Sequence, residues 1–245
     1  MSAPGRKPDF GVDAPYVPLG FGLAAAVSIA FAVVAVVHHA TTWVATAAAT
    51  AVWFAACAAS YLYTTRAGKL RVWSDLARGA ALRGDERVLD VGCGRGVVLL
   101  TFARLLPRGE AVGVDLWRSH DQSGNDERTT RRNAELAGVA ERIHLHTGDM
   151  RELPFPDGSF DLVVSSLAIH NVPDRAGRDR AIEEIFRAVK PGGRILVADF
   201  QNTADYESRL RAVGAADVKR TRLGWRFWYG GPFAATTLVE ARKPA

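Results

Sequence analysis

Val88-Leu89-Asp90-Val91-Gly92-Cys93-Gly94-Arg95-Gly96 reads as an apolar strand that runs into a glycine-rich turn, and the apolar helical stretch Val97–Leu106 follows it. Open parallel sheets present their backbone to a ligand through such a strand–turn–helix unit. Glycine there lets the main chain come close to a ligand that a Cβ would hold away. A dinucleotide-binding turn reads G-x-G-x-x-G and needs its third glycine at position 97. That position is Val, and the pattern is G-x-G-x-G instead. Asp90, two residues before Gly92, would repel a pyrophosphate but suits an ammonium group. Asp115 lies 19 residues beyond Gly96, at the end of the next predicted strand, where a carboxylate can accept both hydroxyls of a ribose. Together these groups describe a pocket for a nucleoside that carries a cationic amino-acid tail and no phosphates.

Short apolar runs alternate with helical patterns over residues 66–245, which predicts an α/β domain with a doubly wound parallel sheet. The predicted strands are 87–91, 111–114, 143–146, 162–165 and 195–198, with a closing pair near 216–221 and 236–241. Helices are predicted at 97–106, 128–137 and 178–189. Leu70, Trp73, Leu76, Ala77 and Ala80 form one face of a further helix.

These residues resemble the class I S-adenosylmethionine-dependent methyltransferases. A second stretch, Gly148-Asp149-Met150-Arg151-Glu152-Leu153-Pro154-Phe155-Pro156-Asp157-Gly158-Ser159-Phe160-Asp161, is similar to the segment after the third strand of the ubiquinone/menaquinone-type enzymes, and Lys190-Pro191-Gly192-Gly193 is a further match. The resemblance implies a Rossmann-like seven-stranded methyltransferase sheet with an antiparallel last strand, and S-adenosyl-L-methionine as cofactor. It also implies roles: Asp90 near the methionine ammonium, Gly92, Gly94 and Gly96 against the methionine moiety, and Asp115 on the ribose. Leu116 would pack on adenine, Asp149 and Met150 would contact the adenine ring, and Ser165 and Ser166 would end the fourth strand where cofactor and acceptor meet.

The rest of the chain obeys a different solvent. The 52 residues between Asp13 and Arg66 contain no charged side chain, although the whole chain has 57. Two spans fit inside this window, Pro18–Val37 and Trp43–Tyr63, joined by His38–Thr42. At about 1.5 Å rise per residue each reaches ~30 Å, the depth of a bilayer's hydrocarbon core. Ala47, Ala51 and Ala55 predict a small-residue seam for close packing of the two helices. Arg66, Lys69, Arg71, Arg78 and Arg83 follow the second span, which predicts a two-pass membrane protein with catalytic domain and N-terminus both cytoplasmic. The expected organisation is therefore a tail (1–17), a transmembrane α-helical hairpin (18–65) and a methyltransferase domain (66–245). A cleaved signal peptide and a hairpin buried in a soluble protein are the alternatives.

Cys57 and Cys93 sit in unrelated regions, so no disulfide is expected. Arginines are interleaved with acids and form no basic stripe, so nucleic acid is not an expected partner. No Cys/His cluster has metal spacing. Oligomeric state is not encoded in any feature of the sequence.

Methyl transfer from a sulfonium is an in-line displacement in which positioning does most of the work. A base is needed only when the acceptor carries a proton. His170, beyond the fourth strand, is the candidate base; His120 and Asp121 are weaker ones, and His144 and His146 read as structural. Trp225, Phe227, Trp228 and Tyr229 precede Gly230-Gly231-Pro232, and form either a wall around a lipophilic acceptor, a foot on the bilayer, or ordinary packing. The expected partners are thus the lipid bilayer and a small lipophilic acceptor. A non-catalytic scaffold that only binds the cofactor is the alternative, with a nicotinamide oxidoreductase further behind.

Overall fold

The computed structural model describes residues 7–118 and 122–245. Helices α1 (Tyr16–Val37) and α2 (Thr41–Tyr63) form an antiparallel hairpin closed by a turn in which His39 takes a positive φ of 53°. On α1 the positions 18, 21, 25, 28, 32 and 35 are partly or fully buried, alternating steps of three and four that keep one stripe against α2, with 17 and 24 partly buried at its edge. On α2 the stripe runs through Ala47 and Ala51 and then turns to Phe54, Cys57 and Tyr61, while Ala55 is exposed. The predicted seam fails at Ala55 because a four-residue step advances about 40° beyond a full turn, so its third member leaves the interface. The outer faces are apolar and uncovered: Leu19, Leu23, Val27, Val34, Val52 and Trp53 are all more than half exposed. Both helices are long and apolar enough to cross a membrane, with mean hydropathy 2.5 and 1.4. Only the foot of the hairpin joins the domain's core, through Tyr61 with Val17 and Phe21 packed beside it.

The second helix does not stop at the domain. A π-helical turn (Thr64–Gly68) carries it into α3 (Lys69–Gly79), giving one helical run from Thr41 to Gly79. The π-turn is docked: the Thr64 hydroxyl donates to the Trp228 carbonyl at 2.6 Å, and a Cβ at Gly68 would collide with the Arg226 carbonyl oxygen.

The remaining elements alternate as expected: β1 (Arg87–Val91), α4 (Val97–Ala103), β2 (Glu110–Asp115), α5 (Glu127–Ala137), β3 (Ile143–Thr147), β4 (Phe160–Ser166), α6 (Arg175–Ala188), β5 (Val189–Asp199), α7 (Thr203–Ala212), β6 (Ala216–Arg222) and β7 (Thr237–Arg242). They build one seven-stranded sheet in the order β3-β2-β1-β4-β5-β7-β6, parallel except for β7, which runs antiparallel to both neighbours. Two apolar layers cover it. One holds Trp73, Phe102, Leu99 and Leu106 under α3 and α4; the other holds Ile182, Ile185, Tyr206 and Leu210 under α6 and α7. Helix α6 starts three residues before its predicted start because Asp174 caps it, accepting from the Gly177 amide. Helix α7 escaped the periodicity, since only Tyr206 and Leu210 are buried along it. The order reverses between β1 and β4, and ligands of such sheets bind outside the strand ends at that switch point.

Candidate functional site

A cavity of about 710 Å³ opens at the carboxyl ends of the strands, astride the switch point. At its β1–β2 side the glycine turn supplies backbone. Gly92 has φ 75°, and a Cβ there would lie 2.2 Å from the Ala168 Cβ; Gly94 has φ 49°, and a Cβ would meet the Gln122 side-chain oxygen at 2.6 Å. Any side chain at either position would fill the cradle or break its wall. Asp90 points into this end with both carboxylate oxygens lacking a hydrogen-bond partner. Burial pushes its pKa up to about 8; the Leu99 amide, outside hydrogen-bond geometry, offsets part of this and the Asp115 charge adds to it. A buried carboxylate without a partner is costly, and a ligand's ammonium group would relieve that cost.

Asp115 holds the turn itself together. Its oxygens accept from the Gly94 amide at 2.8 Å, the Trp117 amide at 2.6 Å and the Asn125 side chain at 3.2 Å. Leu116, on the cavity edge, is 40% exposed. Asp149 and Met150 line the floor; the Asp149 carboxyl is paired with Arg151 at 2.6 Å, whose hydrogen bonds hold it below the usual range. The Cys93 thiol is pushed up by burial and by the nearby Asp115 and Asp90 charges, which leaves it a poor nucleophile.

Two expected contacts are absent. Gly96 lies off the cavity, where its φ of 88° serves as the left-handed cap of α4. Ser165 faces the sheet, donating to the Val91 carbonyl at 2.8 Å. Strand alternation explains this: Ser166, the next residue, lines the cavity and accepts from the Trp73 indole at 2.9 Å. His120 and Asp121 lie outside the described residues.

The β4–β5 side carries a pair that the sequence showed only by half. Leu167, a non-glycine at φ 57°, turns the chain so that Ala168 and His170 flank the cavity. The His170 Nδ1 stands 2.8 Å from Oδ1 of Asp199, and its backbone amide donates to Oδ2 at 3.2 Å. Asp199 is fully buried, and also accepts from the Phe200 amide and the Tyr206 hydroxyl. The Phe200 ring meets the His170 imidazole edge-on at 4.7 Å. Asp199 ends β5, and an acid after an apolar strand was the available signal. Its partner is 29 residues away, a link that sequence spacing does not reveal.

Residues 9–13 are tied to the domain. Asp9 pairs with Arg95 of the glycine turn, and the Asn133 side chain donates to the Asp9 carbonyl. Asp13 takes the Lys69 ammonium at 2.7 Å on both oxygens, with Thr65 and Tyr229 hydroxyls and the Gln122 amide donating to the same carboxylate. Burial opposes its charge, but Lys69, Tyr229 and Thr65 outweigh it and keep the carboxyl below its ordinary value. Asp13, Ala14, Tyr16 and Val17 thereby roof the cavity. Of the four aromatic residues at 225–229, only Tyr229 lines it. Trp225 stacks on Tyr63 at 5.3 Å, and Phe227 is buried.

Comparison with known proteins bears on the same region. Residues 89–197 match the family of the methyltransferase domain. The chain is 34% identical over 119 residues to the ubiquinone/menaquinone biosynthesis C-methyltransferase UbiE of Vibrio vulnificus, covering 48% of this chain and 42% of that one. It is 36% identical over 137 residues to the protein of the same name from Dinoroseobacter shibae, covering 54% and 50%. The chain thus spans about half the length of the curated relatives it matches. A SAM-dependent methyltransferase from Aquifex aeolicus superposes with a TM-score of 0.55 at 16% identity, over 69% of this chain and 88% of that one, a likeness of fold. Residues 89–197 thus match a methyltransferase domain, on a sheet of the fold seen in solved S-adenosylmethionine-dependent methyltransferases, and the cofactor which that match implies is S-adenosylmethionine.

Proposed function

We propose that the chain transfers a methyl group from S-adenosylmethionine to a small lipophilic acceptor, with the hairpin 18–65 holding the domain 66–245 at a membrane. One observation carries this reading. A single cavity joins the unpartnered Asp90 and the glycine turn at one end to His170, Phe200 and Tyr229 at the other. Asp90 receives the ammonium, the Gly92 and Gly94 backbone carries the methionine moiety, and Asp115 holds the ribose. Leu116 and Met150 sandwich the adenine ring, with Asp149 at its edge. The cofactor supplies a methyl group already activated on a sulfonium.

His170 acts as base toward an acceptor hydroxyl. Asp199 fixes its Nδ1, which leaves Nε2 to take the proton. The oxygen so released is the nucleophile, or passes its electron density to a ring carbon that is; the base has the same task in both. The relatives' names specify C-methylation in ubiquinone/menaquinone biosynthesis, and the apolar lining favours a lipophilic acceptor. Docking of residues 9–13 on the domain fits an N-terminus on the domain's side of the bilayer, as a two-pass hairpin requires. Membranes containing the full-length chain, incubated with methyl-labelled S-adenosylmethionine and a lipid extract, test the reading. Label enters the organic phase and is absent with Asp115→Ala. Label confined to water-soluble products overturns the lipophilic acceptor.

A further inference from the structure

The cavity has two rims of opposite character. Where it borders β2, β3 and β4 its exposed lining residues are Leu116, Arg118, Arg151, Asn171 and Pro173, three of the five polar. Where it borders the hairpin they are Tyr16, 66% exposed, and Phe233, 64% exposed. Both helices of the hairpin hold this second rim. Phe233 sits 6.4 Å from the Trp53 ring, and Phe21, which also lines the cavity, sits 6.4 Å from Phe54. The β6–β7 connection is shaped to receive them. A Cβ at Gly230 would lie 2.9 Å from the Phe21 ring, and one at Gly231 would lie 2.6 Å from the Phe233 ring. Beyond the rim the surface continues as Leu19 and Leu23, exposed and apolar, on the helix that enters the uncharged window.

We propose that this aromatic rim is a lateral door, through which an amphiphile with a hydroxylated head and a long apolar tail enters from the lipid while the cofactor uses the polar rim. This rests on the methyl-transfer reading above. The head passes Tyr229 and Phe200 to reach His170, and the tail stays between Tyr16 and Phe233 in contact with the bilayer. A path through water would cost such a molecule about fourfold in partition for every methylene withdrawn from lipid. A door at the membrane surface removes that cost, and it explains why one wall of a methyltransferase cavity is made from the foot of a membrane-length helix.

The test uses the full-length chain in phosphatidylcholine vesicles, a long-chain alkylphenol with a diazirine in its tail, and S-adenosylmethionine binding measured on the same vesicles. On irradiation the adducts fall on Tyr16, Phe21 and Phe233. Phe233→Arg and Tyr16→Arg, both on exposed positions, each lower those adducts by about tenfold and leave cofactor affinity within about twofold. Adducts confined to lipid-facing positions such as Val27 and Val34, or unchanged by either variant, overturn the door while cofactor binding stands. Failure of the unaltered chain to bind S-adenosylmethionine is a different result: it overturns the methyl-transfer reading, and the door falls with it.

Discussion

At the β1–β2 end of the cavity, the ligand-facing groups come from one strand exit after another, at positions 90–94, 115–116 and 149–150. At the hairpin end they come from positions 13–17, 21, 170, 200 and 229–234, drawn from both extremes of the chain. The first end is a local device: a strand, a turn and a helix suffice to aim backbone at a ligand, so it survives as a short motif. The second is an assembly. Its walls exist only because residues 9–13 lie across the glycine turn and because α2 runs unbroken into α3. One end is built by a local strand–turn–helix unit and the other by segments distant in the chain, and that is the difference the comparison teaches.

Removing the knot that ties the assembly should give the largest effect. Asp13→Ala leaves the Lys69 ammonium buried without a counter-charge and frees the roof. A loss of about 3–5 kcal/mol is expected, read by denaturant unfolding, together with faster amide exchange over residues 9–14. If exchange there is unchanged, the roof does not depend on Asp13. The cofactor end is tested next by Asp115→Ala, which withdraws a carboxylate from the ribose and from the turn. It should weaken S-adenosylmethionine binding by roughly 2–4 kcal/mol. Calorimetry that finds affinity within about twofold would remove Asp115 from that end.

His170→Ala should slow turnover by about 10²-fold with cofactor affinity intact. Asp199→Asn, which keeps shape but alters the partner of Nδ1, should slow it less. A slowing under about threefold in His170→Ala would reduce the residue to packing against Phe200. The remaining test is a pH dependence. The folded pKa of Asp90, near 8 from burial, lies above its unfolded value of about 4. The ligand-free fold therefore has the full benefit of protonated Asp90 only below about pH 4, and loses it as pH rises through 8. Cofactor binding favours the ionised form, so affinity should climb with pH by up to about tenfold per unit and level off above 8. Asp90→Asn should flatten that profile; a profile equally steep in the variant would place the titration elsewhere.

How much of this was legible beforehand follows the same division. That Asp90, Gly92, Gly94, Asp115 and Met150 line one cavity is readable because a parallel sheet puts every strand exit on one edge, so order along the chain predicts proximity. The sheet is readable from the alternation of apolar runs with helical patterns, and its strands lie within two residues of their predicted ends except β5, which begins six residues early. Ser165 was misjudged by one position, which in a strand reverses the face. Asp199 went unnoticed because its partner is distant in sequence, and Asp13 because an isolated acid near a chain end gives no pattern at all.

The amino-acid sequence by itself therefore determined the class of fold, the glycine-turn end of the cavity and the separation of an uncharged hairpin from a charged domain. Those are written in periodicity, in glycines where backbone must come close, and in the distribution of charge. Tertiary structure alone decided that Asp199 orients His170, that residues 9–13 roof the cavity, and that the hairpin's foot forms its apolar rim. Each of these is a contact between segments far apart in the chain, fixed by burial and by pairing of charges rather than by any local preference.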